Sequence, residues 1–230
     1  MSKFAISDIH GCSKTFLALL DKIKFSSSDE LYLLGDYVDR GPDSKGVLDI
    51  IMQLQANGYA VHCLRGNHEQ LVLYALTSLE GLENWAAGDG QTTLDSFGVA
   101  RFTDIPAPYV AFLNGLHHII YVDEYILVHA GLNFRLPDPV GDPWSLLTIR
   151  HWQDDINRAW LKNRIVVHGH TPMMRDAIVF QCEDLVNQQY LDIDGGCVYA
   201  PPKYTSRIGM GYLCAFDMER RQVSFQRNVE

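Results

Sequence analysis

The sequence predicts an α/β fold from two features: short apolar runs alternate with helix-length amphipathic segments, and each early apolar run ends in a polar cluster. Its 230 residues, 47% hydrophobic and 20% charged, are enough to bury a full core. No linker or low-complexity tract divides the chain, so one domain over residues 1–230 is expected.

"KFAIS" reads as a first strand running into "DIHG", and "TFLALLDKI" carries apolar residues at helical spacing. "ELYLL" then runs into "GDYVDRG", "SKGVLDIIMQLQ" reads as a second helix, and "AVHCL" runs into "RGNHE". This βαβαβ pattern delivers polar side chains to the carboxyl ends of strands, where open α/β sheets bind ligands. Residues 70–97 are expected to be helical, with Gly88, Gly90 and Gly98 breaking the run. "HHIIYV" and "YILVHAG" read as a hairpin around Asp123 and Glu124, followed by the loop "RLPDPVGDP" and a helix through "SLLTIRHWQDDINRAWL". The last third reads mostly as strands, "IVVHGH", "AIVF", "QYLDIDGG", "GYLCAFD" and "VSFQR", with "DMERRQ" turning the final hairpin.

Nineteen basic against 28 acidic residues give a formal charge of −9, whose field repels nucleic acid and anionic membrane surfaces. No apolar run approaches the ~18 residues that span a bilayer. A strand-like run starting at Phe4 does not match a secretory signal, and five cysteines without a CxxC pair read as reduced thiols. A cytoplasmic protein is expected.

Metal-ligating residue types collect at the predicted strand ends: Asp8 and His10, Asp36 and Asp39, Asn67 and His68, His129, then His168 and His170. Singly, an aspartate before glycine is a turn residue and a histidine a core or surface residue. Placement after successive strands is what points to convergence on one edge. His168 and His170 lie two apart, so spacing alone does not choose between them.

In order, "DIHG", "GDYVDRG", "RGNHE", "VHAG" and "HGHTP" resemble the metal-dependent phosphoprotein phosphatase family of serine/threonine phosphatases, in its compact bacterial and phage branch, which includes the bacteriophage lambda phosphatase. The resemblance implies an αββα sandwich of two mixed sheets and a centre of two divalent ions, with manganese first and iron or zinc as alternatives. One ion would take Asp8, His10 and Asp36. The other would take Asp36 as bridge with Asn67, His129 and His170, the histidine directly after the glycine of "HGH". A metal-bridged hydroxide would attack phosphorus directly, His68 would protonate the leaving group, and Asp39 would orient His68. Arg40, Arg65 and Arg150 match phosphate-binding arginines, although Thr148 breaks the pattern before Arg150. His117 and His118 are expected to be structural, and Trp85 to serve packing.

The activity so implied is hydrolysis of phosphoserine and phosphothreonine, with phosphotyrosine within reach, on phosphorylated protein or peptide. Glu69 and Asp39 favour this over a symmetrical dinucleoside tetraphosphate hydrolase, whose sequences tend to show "GNHD" and to lack the second aspartate. An inactive phosphate-binding module is the third reading, opposed by the occupation of every expected position.

Overall fold

The computed structural model describes residues 1–87, 89–200 and 207–230. Its strands are β1 (Lys3–Ile6), β2 (Glu30–Leu33), β3 (Ala60–Cys63), β4 (Ile119–Val122), β5 (Tyr125–Val128), β6 (Ile165–His168), β7 (Tyr190–Asp192), β8 (Tyr212–Asp217) and β9 (Gln222–Arg227). Its helices are α1 (Ser13–Lys22), α2 (Ser44–Ala56), α3 (Asn67–Ala75), α4 (Leu79–Ala87), α5 (Gln91–Phe97), α6 (Ala107–Asn114), α7 (Pro143–Thr148), α8 (Arg158–Leu161), α9 (Arg175–Glu183) and α10 (Leu185–Gln188).

Among the described residues the strands form two mixed sheets, one in the order β3-β2-β1-β8-β9 and one in the order β4-β5-β6-β7. β1, β2 and β3 run parallel while β8 and β9 return antiparallel. In the second sheet β5, β6 and β7 are parallel and β4 is the antiparallel edge.

Strand periodicity explains the layering. Phe4, Ile6, Leu31 and Leu33 face one core with the helices that cover the first sheet, whereas Ala5, Tyr32 and Leu34 face the other way. In the second sheet Leu127 and Val167 meet that inner face, and Ile126, Val128 and Val166 point outward onto Leu146, Trp152 and Leu161. Both faces of these strands are therefore buried, which is why they read as continuous apolar runs. The expected four-layer sandwich of two mixed sheets is what the chain forms.

Two expectations fail locally. "AIVF" is not a strand but part of α9, which packs on β7 and β9; of these four residues only Ile178 is fully buried, and Phe180 is exposed. A short β-branched run does not separate a strand from a one-sided helix. The helix expected through 145–161 breaks into α7, a 3-10 turn at Trp152–Asp155 and α8, because His151 adopts a left-handed backbone with φ 56°. Gly88 lies outside the described residues, and the run from 70 to 97 starts earlier, at Asn67, as α3, α4 and α5.

Phe216 on β8 is fully buried between the sheets. Phe216→Ala is expected to lower unfolding free energy by ~3–5 kcal/mol through the cavity it leaves, read from urea denaturation by circular dichroism. A loss below ~1 kcal/mol would mean that the sheets are not packed face to face through this residue.

Candidate metal centre

The parallel strands of both sheets end at the same edge, and their loops are laced by backbone bonds: Asp8 N–H to Gly35 O (3.2 Å), His10 N–H to Asp36 O (2.8 Å), Gly169 N–H to His129 O (2.8 Å) and Ile193 N–H to His168 O (2.8 Å). Two contacts tie one sheet to the other at this edge. His129, after β5, donates Nδ1–H to the carbonyl of Leu34 after β2 (2.9 Å), and the His170 amide donates to Asp8 Oδ2 (3.1 Å). Gly169 must be glycine here, because a Cβ would lie 2.0 Å from Ser7 Oγ and 2.1 Å from Asp8 Oδ2.

Twelve described non-glycine residues have positive φ, and six of them are Asp8, His10, Asp36, Asp39, Arg40 and His170. Such backbone costs on the order of 1–3 kcal/mol per residue and persists only where surrounding bonds over-determine it. Glu69 supplies many of those bonds. Fully buried at the third position of α3, its carboxylate accepts from the amides of Asp36 (2.8 Å), Tyr37 (2.7 Å), Val38 (3.3 Å) and Gly66 (2.8 Å). Burial and the nearby Asp36 carboxylate raise its pKa to about 7, against the pull of those amides.

Around Asp36 the chain gathers acceptors. Asp36 Oδ1 lies 3.5 Å from His129 Nε2, and Oδ2 lies 3.5 Å from His10 Nε2. Asn67 Oδ1 sits between His129 Nε2 (3.0 Å) and His170 Nδ1 (2.8 Å). His10 and His129 each commit Nδ1–H to a carbonyl, of Val38 (2.8 Å) and Leu34, so each turns an Nε2 lone pair inward. The His129 lone pair thus faces Asn67 Oδ1 and Asp36 Oδ1, an arrangement that a cation relieves, whereas the His10 lone pair meets the Arg40 guanidinium. Two groups have ligand atoms mutually within 4.8 Å, His10–Asp36–His68 and Asp36–His129–His170, and Asp36 is common to both.

The protonation pattern matches that reading. Burial pushes His10 well below the usual imidazole range and His170 down to about 3. Burial would raise Asp36, yet His129, His68 and His10 together hold it far below the usual carboxylate range. Asp8 is raised by burial, and it keeps Oδ2 on the Ser7 hydroxyl and the His170 amide.

His68 stands apart from the other histidines. Burial lowers its pKa, but the carboxylates of Asp36 and Asp39 outweigh burial and raise it. Its Nδ1 donates to Asp39 Oδ2 (2.8 Å). Asp39 is itself held by Trp85 Nε1 at Oδ2 (2.9 Å) and by Thr93 Oγ1 at Oδ1 (2.6 Å). Trp85 is therefore more than packing: it is 2% exposed and orients the carboxylate that faces His68. Nothing in its spacing marked it, nor Thr93, since both arrive from α4 and α5 through tertiary contact.

Arg40 reaches His10 Nε2 with Nη1 (2.7 Å) and Asp89 Oδ2 with Nε (3.0 Å). Arg150 is exposed beside His170, bonded to Thr171 Oγ1 at 2.9 Å. Arg65 corrects the expected phosphate-binding set. Its amide continues the ladder to His117 O, and its guanidinium turns to the carbonyls of Leu113 (3.2 Å) and Asn114 (2.9 Å) and to Gln70 Oε1 (2.9 Å). A cation placed on the carboxyl end of α6 is stabilised there and does not face the cluster.

His168 is 1% exposed and points away from the cluster, with its ring centroid 5.2 Å from that of Trp152, Nδ1 on Gly169 O (3.0 Å) and Nε2 near Gln153 (3.4 Å). Asp194 accepts from the Gly196 amide (2.8 Å), as a turn aspartate does.

Comparison with known proteins identifies the arrangement. The sequence profile of the calcineurin-like phosphoesterase family matches residues 1–199. A symmetrical bis(5'-nucleosyl)-tetraphosphatase of Nitrosomonas europaea is 39% identical over 134 residues, which cover 57% of this chain and 45% of that protein. An asymmetrical bis(5'-nucleosyl)-tetraphosphatase of Bacillus velezensis is 28% identical over 227 residues, covering 84% of each. The chain thus spans less than half the length of the Nitrosomonas protein. Among solved structures, one provisionally assigned as a diadenosine tetraphosphatase superposes with TM-score 0.71 at 21% identity, covering 100% of this chain and 94% of that one.

These relatives overturn the expected protein serine/threonine phosphatase and its phosphoprotein partner. They also give no support to the bacterial and phage phosphatase branch. The physical reason is plain in the site: Glu69 braces backbone amides and Asp39 orients His68, so both residues that favoured the phosphatase are internal. Residues that turn no atom to the substrate cannot report which substrate it is.

Glu69→Ala leaves the amides of Asp36, Tyr37 and Gly66 buried without acceptors. At ~1–3 kcal/mol per orphaned group, a loss of at least ~3 kcal/mol in urea-induced unfolding is expected. A change under ~1 kcal/mol would mean that the loop holds its shape without this carboxylate.

Proposed function

This chain belongs to the calcineurin-like phosphoesterase family, whose members use a dinuclear metal centre, and on that premise we propose that it hydrolyses the polyphosphate bridge of symmetrical dinucleoside tetraphosphates. The observation that carries the chemistry is the convergence of acceptors around Asp36 beside the His68–Asp39 pair. The names of the relatives support the substrate class.

In this reading His10 and Asp36, with Asp8 alongside, hold one ion, and Asp36, Asn67, His129 and His170 hold the other. Carboxylate, imidazole and amide oxygen suit manganese, iron or zinc, with manganese first. Bound ions supply Lewis acidity there, lowering the pKa of water and neutralising charge on phosphoryl oxygens. Arg40 and Arg150 flank the cluster and hold phosphoryl oxygens by charge-assisted hydrogen bonds. His68 Nε2 donates a proton to the departing phosphate oxygen, while Asp39 keeps the imidazolium charged and fixed in orientation. A nucleoside diphosphate is a far weaker base than an alkoxide, so it needs less help from that acid.

Breaking the central anhydride of diadenosine tetraphosphate yields two ADP, whereas breaking an outer one yields ATP and AMP. Ion-exchange analysis of products with manganese present is expected to show ADP alone. ATP and AMP would overturn symmetrical cleavage, and no nucleotide product while a phosphopeptide is dephosphorylated would overturn the substrate class.

His68→Asn is expected to lower kcat by ~10²–10⁴-fold on an alkyl phosphate, with a smaller loss on the tetraphosphate. Metal content by plasma mass spectrometry should stay near two ions per chain in this variant and in His168→Ala, and fall in His170→Ala. Metal loss from His68→Asn would make His68 a ligand, and loss from His168→Ala with retention in His170→Ala would reverse the register of "HGH".

A further inference from the structure

A tetraphosphate bridge carries three phosphates beyond the one that reacts, and a chain of formal charge −9 repels them unless local cations receive them. Next to the metal cluster stand residues that none of the roles above uses. Tyr199 ends the 3-10 turn Cys197–Tyr199 that follows the Asp194 turn. The guanidinium carbon of Arg40 lies 5.8 Å from its ring centroid, and that of Arg207 lies 5.0 Å from it. One ring therefore joins the arginine that touches His10 to a second arginine that is exposed to solvent.

Apolar side chains continue outward from Arg207. Ile208 is 81% exposed and Met174 is 53% exposed. Their loops are joined, since the Arg175 amide donates to Gly209 O (3.0 Å) and a Cβ on Gly209 would lie 3.1 Å from Met174 Cγ. Met174 stands four residues after His170, where the loop from β6 enters α9. From the cluster an arginine, an aromatic ring and a second arginine succeed one another, and two exposed apolar side chains lie in the adjoining loops. Anionic phosphate suits the first part and a flat heterocycle suits the last.

We propose that Tyr199, Arg207, Ile208 and Met174 form a distal nucleotide subsite, in which Arg207 takes phosphates beyond the reacting one and the apolar pair takes a nucleobase. The subsite rests on the tetraphosphatase reading and supplies what that reading lacks, a reason for the chain to prefer a dinucleotide over a simple phosphate ester.

The test compares wild type with Arg207→Gln and Arg207→Glu, each loaded with manganese. The substrates are diadenosine tetraphosphate and bis(p-nitrophenyl) phosphate, which has no distal phosphate. Loss of one charge-assisted contact is expected to raise KM for the dinucleotide ~10-fold with kcat within ~2-fold, and Arg207→Glu to raise it further. The nitrophenyl ester should change by less than ~2-fold in kcat/KM, a control that also shows the variants are folded. Equal losses on both substrates, or an unchanged KM for the dinucleotide, overturn the subsite. Wild-type cleavage of the nitrophenyl ester without cleavage of the dinucleotide overturns the function reading and the subsite with it. Wild-type cleavage of both with Arg207→Gln unaffected overturns the subsite alone.

Discussion

Glu69 gathers the amides of Asp36, Tyr37 and Gly66 within 2.7–2.8 Å, and the geometry of the centre follows from that grip. It holds Asp36 in a left-handed conformation, which the residue's own preferences oppose. Asp36 then accepts the His68 amide at Oδ1 (3.0 Å), so the first turn of α3 is anchored to the carboxylate at the middle of the cluster. Asn67 and His68 stand on that first turn and inherit their positions from it. Gly66 completes the fit, because a Cβ there would lie 2.1 Å from Asp36 Oδ1.

Strain and bracing are therefore placed together. Six cluster residues sit at positive φ, and the bonds that hold them include the carbonyl of Val38 on His10, the carboxylate of Glu69 on the Asp36 amide, the hydroxyls of Ser44 and Thr93 on the Asp39 amide, and Asp8 Oδ2 on the His170 amide. Such a site spends stability to fix side chains before any ligand arrives, and preorganised groups of this kind act strongly on charge that develops in a reaction. The outward half of the site is built differently. Arg150, Arg207, Met174 and Ile208 are exposed, as befits groups that adapt to a ligand.

Much of the inner half was legible in the sequence because it depends on local order. Strand, polar cluster and helix succeed one another three times before residue 70, and that succession alone sends Asp8, His10, Asp36, Asn67 and His68 to one edge. Residues that act through tertiary contact carry no such mark. Trp85 and Thr93 reach Asp39 from helices 46 and 54 positions away in sequence, and Arg65 leaves the cluster only because the end of α6 offers it carbonyls. "AIVF" failed for a simpler reason, that four apolar residues fit either periodicity. The substrate was the least legible part. Asp39 and Glu69 serve geometry that any phosphoester hydrolysis of this kind needs, so their presence did not distinguish a protein phosphatase from a tetraphosphatase.

In the proposed centre one carboxylate, Asp36, is shared between two cation positions. Anomalous diffraction from manganese-soaked crystals tests this most directly. Two peaks roughly 3.5–4 Å apart with Asp36 between them are the predicted result. A single peak, or two peaks of which only one contacts Asp36, would contradict it.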